Sequence, residues 1–237
     1  MTQNTLTRAG TAACDPATRV TKSLLGYGVI AGPVWVAVSL AQALTRDGFD
    51  LRRHEWSLLA DGHLGWIQVA NFILAGLMVL AAAAGLRRAL SRPGGSGGSG
   101  DSGGPGSRWV PRLVAGYGLG LVGAGIFRAD PARGFPAGTP DGPGTVSWHG
   151  MLHLVTAMIG FGCLIAACVV LARRLNASGR RGWAAYSLGT GVVFLAGFAG
   201  VASGSASVAI NLAFTGAVLL AWAWVSAVSV RYYRSAN

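Results

Sequence analysis

The sequence predicts an all-α polytopic bundle, an integral membrane protein of six transmembrane helices. Charged residues make up only 11% of the 237 residues and hydrophobic residues 52%, whereas a soluble domain carries about 25% charge. The mean hydropathy is correspondingly high, +0.49. The apolar residues fall in runs near the ~20 residues that a helix needs to cross a bilayer. Short basic groups stand between the runs, as the residues that orient membrane helices do.

Residues 1–23 are polar, with Arg8, Arg19 and Lys22, and read as an N-terminal tail. Leu24 to Leu44 is a run of 21 residues without a charge. Ala41-Gln42-Ala43 resembles a signal-peptidase site, but a signal h-region runs to only about 7–15 residues, so this is expected to be a retained first span. Residues 45–63 form a dense polar segment that includes Arg46, Asp47, Asp50, His54, Glu55, Asp61 and His63. With Trp56, Leu58 and Leu59 interleaved, it predicts a short interfacial helix, with Trp56 and Trp66 at headgroup depth.

The second span is expected over Leu64 to Leu86, with Gln68 and Asn71 facing other helices. Arg87, Arg88 and Arg92 end it. Residues 93–107, PGGSGGSGDSGGPGS, hold no packing side chain and read as a flexible linker. The third span, Leu113 to Phe127, is short. Gly116, Gly120 and Ala124 give it a small-xxx-small ridge, which lets two helix backbones approach closely.

Residues 128–149 read as a loop, rich in proline and glycine, with Ser147 placed to cap the next helix. The fourth span is expected over Gly150 to Ala172 and the fifth over Trp183 to Ala202. Ser203 to Ser207 reads as a tight turn, and the sixth span follows over Val208 to Val230. Residues 231–237 complete the chain as a tail, so the six-span domain covers 24–230.

The net charge of +11 comes from 18 Arg and one Lys against eight acidic residues. These cations are dispersed between apolar runs and form no single patch, so nucleic acid is not expected as a partner. Fourteen of them fall on the side of the tails, the linker and the fourth-to-fifth connection, and five on the other. The basic side is the cytoplasmic one. Both termini are therefore expected inside a bacterial plasma membrane, and both large polar loops outside.

The spans hold no deep Asp, Glu, Lys or Arg, which argues against an ion-coupled pump or a buried proton relay. Neutral groups such as Asn71, Thr156 and Asn211 leave room for another kind of transport. The four histidines, His54, His63, His149 and His153, gather at the outer face with six of the carboxylates. His149 and His153 are i and i+4 and share a helix face. Asp130, His149 and His153 are thus candidate zinc ligands. The competing reading has the imidazoles bonding loop carboxylates and fixing the cap, with Asp61, His63, Asp130 and Trp148 in structural or ligand contact. No other cofactor is called for.

His149-Gly-Met-Leu-His153 lacks the glutamate of HExxH, and neither a GxSxG elbow nor a Walker glycine loop is present. Ser147 near His149 reads as a helix cap before a nucleophile. Cys14, Cys163 and Cys168 form no CxxC pair, so neither a disulfide framework nor a thiolate metal site is expected.

Gly32-Pro33 in the first span, Asp61-Gly62, Phe127-x-x-Asp130 and Trp148-His149-Gly150-x-x-His153 together resemble the bacterial six-helix membrane proteins grouped as domain of unknown function 998. The resemblance covers roughly residues 24–230 and implies a six-helix membrane fold, with no activity attached. The long Gly/Ser linker lies outside that pattern. The functional reading is a plasma-membrane protein whose outward cap binds a small molecule or lipid or stabilises an assembly, such as a homo-oligomer. A metal-dependent hydrolase acting on membrane lipid and a small-molecule or lipid transporter are the alternatives.

Overall fold

The computed structural model describes residues 15–91 and 105–236. Six helices account for most of them: α1 Pro16–Thr45, α2 Gly65–Leu90, α3 Pro105–Ile126, α4 Trp148–Ala177, α5 Arg181–Ala202 and α6 Val208–Ser235. Each is long and apolar enough to cross a membrane.

The helices form a closed ring in chain order. Each packs against its predecessor and successor, and α6 closes against α1. Neighbours run antiparallel, as paired contacts show. Gly85 meets Leu25 while Gln68 bonds Ser39, and Gly28 meets Ser229 while Trp35 stacks on Trp222. One end of the ring therefore gathers the connections 46–64, 127–147 and 203–207, which is the cap end. The other end gathers Arg87, Arg88, Arg108, Arg112, Arg173, Arg174, Arg180, Arg181, Arg231 and Arg234, which is the basic end.

The glycine ridge of α3 does what its spacing predicts. A Cβ at Gly120 would stand 2.6 Å from the Gly160 Cα, so α3 and α4 touch backbone to backbone, and any side chain there would force them apart. Between α1 and α2, buried polar groups hold the pair together. Gln42 Nε2 donates to Gln68 Oε1 at 2.8 Å, and Asn71 Nδ2 donates to the Trp35 carbonyl and to Ser39 Oγ, each at 3.1 Å. In an apolar medium the alternative is an unsatisfied amide, so such bonds select this pairing.

Several expectations are corrected. The third helix is not short: α3 starts at Pro105 and takes Arg108, Pro111 and Arg112 into its first two turns. Arg108 and Arg112 are both exposed, and Arg112 lies over Trp109. Counting them as flanking residues truncated the span. The linker expected over 93–107 ends sooner, because 105–107 are helical; residues 93–104 lie outside the described residues, as do Cys14 and Arg8. α1 begins at Pro16, where the Asp15 carboxylate accepts from the Ala17 N–H and proline occupies the first turn. α6 continues through Arg231 and Arg234. The interfacial helix expected over 45–63 is a single 3-10 turn, Trp56–Ala60, and Trp56 is buried under the cap. Trp66 is exposed.

Candidate functional site

The cap consists of the segment 46–64 and the loop 127–147, locked to each other. Arg46, at the end of α1, donates to the carbonyls of Leu59 and Asp61, both at 2.5 Å. Its guanidinium also lies over the Phe135 ring, 4.8 Å from the centroid.

His54 is fully buried between Phe49 and Phe135. The Asp50 N–H donates to its Nδ1 at 2.9 Å, so the ring proton sits on Nε2, which donates to the Arg133 carbonyl at 2.9 Å. The imidazole thus ties His54 to Arg133, 79 positions further along the chain. Asn211 of α6 anchors the assembly from below, donating to the carbonyls of Leu51 at 2.9 Å and His54 at 3.2 Å. Arg133, in the left-handed region with φ 56°, pairs with Glu55 at 3.4 Å.

Asp130 closes the other loop onto α4. Its two oxygens accept from the Ser147 N–H at 2.7 Å and the Ser147 hydroxyl at 2.5 Å. Ser147 in turn caps α4 by accepting from the Gly150 N–H at 3.1 Å. The carboxylate sits where a side chain at residue 150 would be: a Cβ there would fall 1.9 Å from Asp130 Oδ2. Negative charge at a helix N-terminus is favourable, and only glycine lets it come this close.

His153 is buried, and its Nδ1 lies 2.8 Å from the Phe127 carbonyl and 3.3 Å from that of Ala124. Both partners are acceptors, so Nδ1 carries the proton and Nε2 is left as the lone pair of the neutral ring. His149 is exposed, its ring against Trp148 at 3.6 Å and Phe127 at 6.2 Å. Trp148 and His63 are exposed as well.

In this structure the three candidate zinc ligands make other contacts: Asp130 accepts from Ser147, His153 Nδ1 faces backbone carbonyls, and His149 is exposed. Among the described residues no group of three His, Cys, Asp or Glu gathers as a metal site. A shared helical face brings two imidazoles near each other, but it does not make them converge on a point.

Asp61 is buried, and its Oδ2 has no hydrogen-bond partner. Burial pushes its carboxyl up to about 7, opposed by Arg128, assisted by Asp130 and opposed again by Arg46. Arg46 is close, but it gives its hydrogen bonds to main-chain carbonyls.

Under this cap lies a cavity of about 300 Å³ in the middle of the ring. All six helices line it. Its wall is aromatic, with Trp35, Phe72, Tyr117 and Trp222 on one side and Phe161, Phe194, Phe198 and Phe214 on the other. Glu55, Asp130, Arg133 and His153 stand at its cap end. Towards the basic end the interior is filled by residues such as Leu25, Leu86, Leu171 and Val228, all buried, so the cavity is blind there.

Sequence reasoning named Asp130 and His153 among these residues and missed the aromatic wall. A usable signal was present. Tryptophan in a membrane helix favours the two interfaces, yet Trp35 and Trp222 fall near the middle of their spans. The neutral polar groups considered for transport are engaged elsewhere: Asn71 on α1, Asn211 on the cap, and Thr156 on its own helix at the Leu152 carbonyl, 2.9 Å away.

Fold and site together define a class: a polytopic six-helix membrane protein with an aromatic-lined cavity among its helices. The family model described as Protein of unknown function (DUF998) matches residues 29–231, and the chain belongs to that family. No curated protein and no solved structure matches it.

Proposed function

We propose that this protein binds an apolar molecule with one polar end in the cavity of its helix ring. The apolar body lies among the rings of the wall, and the polar end meets Arg133, Glu55, Asp130 and His153. The observation that carries the reading is the cavity itself. Ligand sites are concave and mostly apolar, with a few placed polar groups, in volumes of about 300–1,000 Å³. Six helices contribute to this one and none fills it. Its blind basic end supports binding over a through-path. The Asp130–Ser147 and His54–Arg133 locks serve to hold the cap over the cavity. The excess of arginine at the opposite end supports a plasma-membrane orientation with both termini cytoplasmic and the cap outside.

Native mass spectrometry of protein released from its own membranes in mild detergent tests the binding. The wild type should carry a bound small molecule or lipid, and Ala157→Trp, which projects an indole into the cavity, should lose it. A bare wild-type mass, or the same adduct on the variant, refutes the reading. Orientation is tested by single cysteines in intact cells: an impermeant thiol reagent should modify Ala137→Cys in the cap and spare Ser178→Cys in the α4–α5 turn.

A further inference from the structure

The ring has one seam built differently from the rest. Adjacent helices are held at the cap end by three devices. Loops join α1 to α2, α3 to α4 and α5 to α6. Backbone contact closes α2 on α3, with a Cβ at Gly76 only 2.7 Å from the Gly118 carbonyl and one at Gly125 only 3.1 Å from that of Val69. Asn211 ties α6 to the segment that follows α1.

The α4–α5 pair has none of these. It is joined at the basic end, through residues 178–180, and packs closely there, where a Cβ at Gly191 would meet the Cys168 Cβ at 3.0 Å. Towards the cap end the two helices are separated by rings, with Phe161 5.0 Å from Phe194 and 5.1 Å from Phe198, centroid to centroid. The same rings line the cavity. The loop residue Val146 lines the cavity while 65% exposed, and at the rim of this seam so does Leu154 of α4, 59% exposed. An apolar side chain that is exposed on a membrane-spanning helix faces lipid, and here it also faces the cavity.

We infer that the cavity opens sideways into the bilayer between α4 and α5, and that its occupant is an acyl chain of a bilayer lipid from the leaflet at the cap end. This rests on the cavity being a binding site and adds the route and the class of ligand. Phe161 and Phe198 form the gate. Their rings can turn aside about two side-chain torsions without moving a backbone, whereas the glycine-packed α2–α3 seam can open only by separating helices. An apolar chain loses nothing on passing from lipid tails into an aromatic wall, and the lipid's headgroup stays at the membrane surface beside the cap, near Arg133 and Asp130. Access from water would instead drag that chain past the polar cap that Arg46, His54 and Asp130 tie together.

The test uses wild-type protein in phosphatidylcholine vesicles containing a phosphatidylcholine with a diazirine midway along one acyl chain. After irradiation, peptide mass spectrometry should find adducts on the interior residues Phe194, Phe214 and Trp222, as well as on outward-facing Leu74 and Leu188. In Ala157→Trp the interior adducts should fall at least fivefold and the outward ones persist. A water-soluble diazirine benzoate should leave the interior unlabelled. Labelling confined to outward residues overturns lateral access, and so does interior labelling by the benzoate but not by the lipid. In the second case the cavity still binds, so the earlier reading stands while this one falls. Interior residues untouched by either probe, together with a bare native mass, remove both.

Discussion

Asp61→Asn should make this protein more stable above neutral pH and leave it nearly unchanged in acid. The carboxyl is buried with one oxygen unpartnered, and its pKa is pushed up to about 7, against near 4 in an unfolded chain. A raised carboxyl means the folded state prefers the protonated form. The associated stability is full below about pH 4 and is lost progressively as pH rises to about 7. Three pKa units at 1.36 kcal/mol each would give about 4 kcal/mol; solvent on the outer side of the cap screens the charge and brings this nearer to about 2 kcal/mol. Asparagine keeps the shape and cannot ionise. Thermal unfolding in detergent, followed by tryptophan fluorescence from pH 4.5 to 8.5, should therefore show a gain growing to roughly 4–8 °C at pH 8 for a chain of this size. A variant less stable than wild type at pH 8, or offset equally at every pH, would refute the account of Asp61 as an acid whose burial outweighs its basic neighbours.

Three further outcomes follow from the geometry. Gly150→Ala should dislodge Asp130 from Ser147, costing about 2–3 kcal/mol for charge-assisted bonds and the helix cap, and limited proteolysis should then cut within 128–146 faster. Trp224→Phe should cost about 1 kcal/mol more than Trp222→Phe, because the Trp224 indole donates to Ser187 Oγ at 3.0 Å whereas that of Trp222 has no partner; equal losses in thermal unfolding would contradict the assignment. His149→Ala should leave stability within about 0.5 kcal/mol and His153→Ala should reduce it clearly, while a chelator leaves the unfolding of the wild type unchanged; stoichiometric zinc in the purified protein would instead support the metal reading.

The fold was legible because a bilayer imposes so few solutions. Runs such as Leu24–Leu44 must be helices, since no other backbone satisfies its hydrogen bonds in lipid, and the small-residue ridge at Gly116, Gly120 and Ala124 announced a close contact. Where charge invades a helix, hydropathy misleads: Arg108 and Arg112 hid the first two turns of α3. The cap's polar residues were equally visible, but not their pairings. His54, one histidine among four in sequence, became the bridge between the loops, while His149, which the i, i+4 pattern favoured, lies outside.

What the sequence determined by itself was therefore the number of spans, the separation of a basic end from a polar cap end, and the family. Each follows from composition or local spacing. Only the tertiary structure decided that six helices close into a ring around an aromatic-lined cavity, and that one seam of that ring is held at its cap end by rings instead of backbones or loops. Those features depend on which faces meet across the ring. Residues such as Trp35 and Phe194, 159 positions apart, carry no local sign that they line the same space.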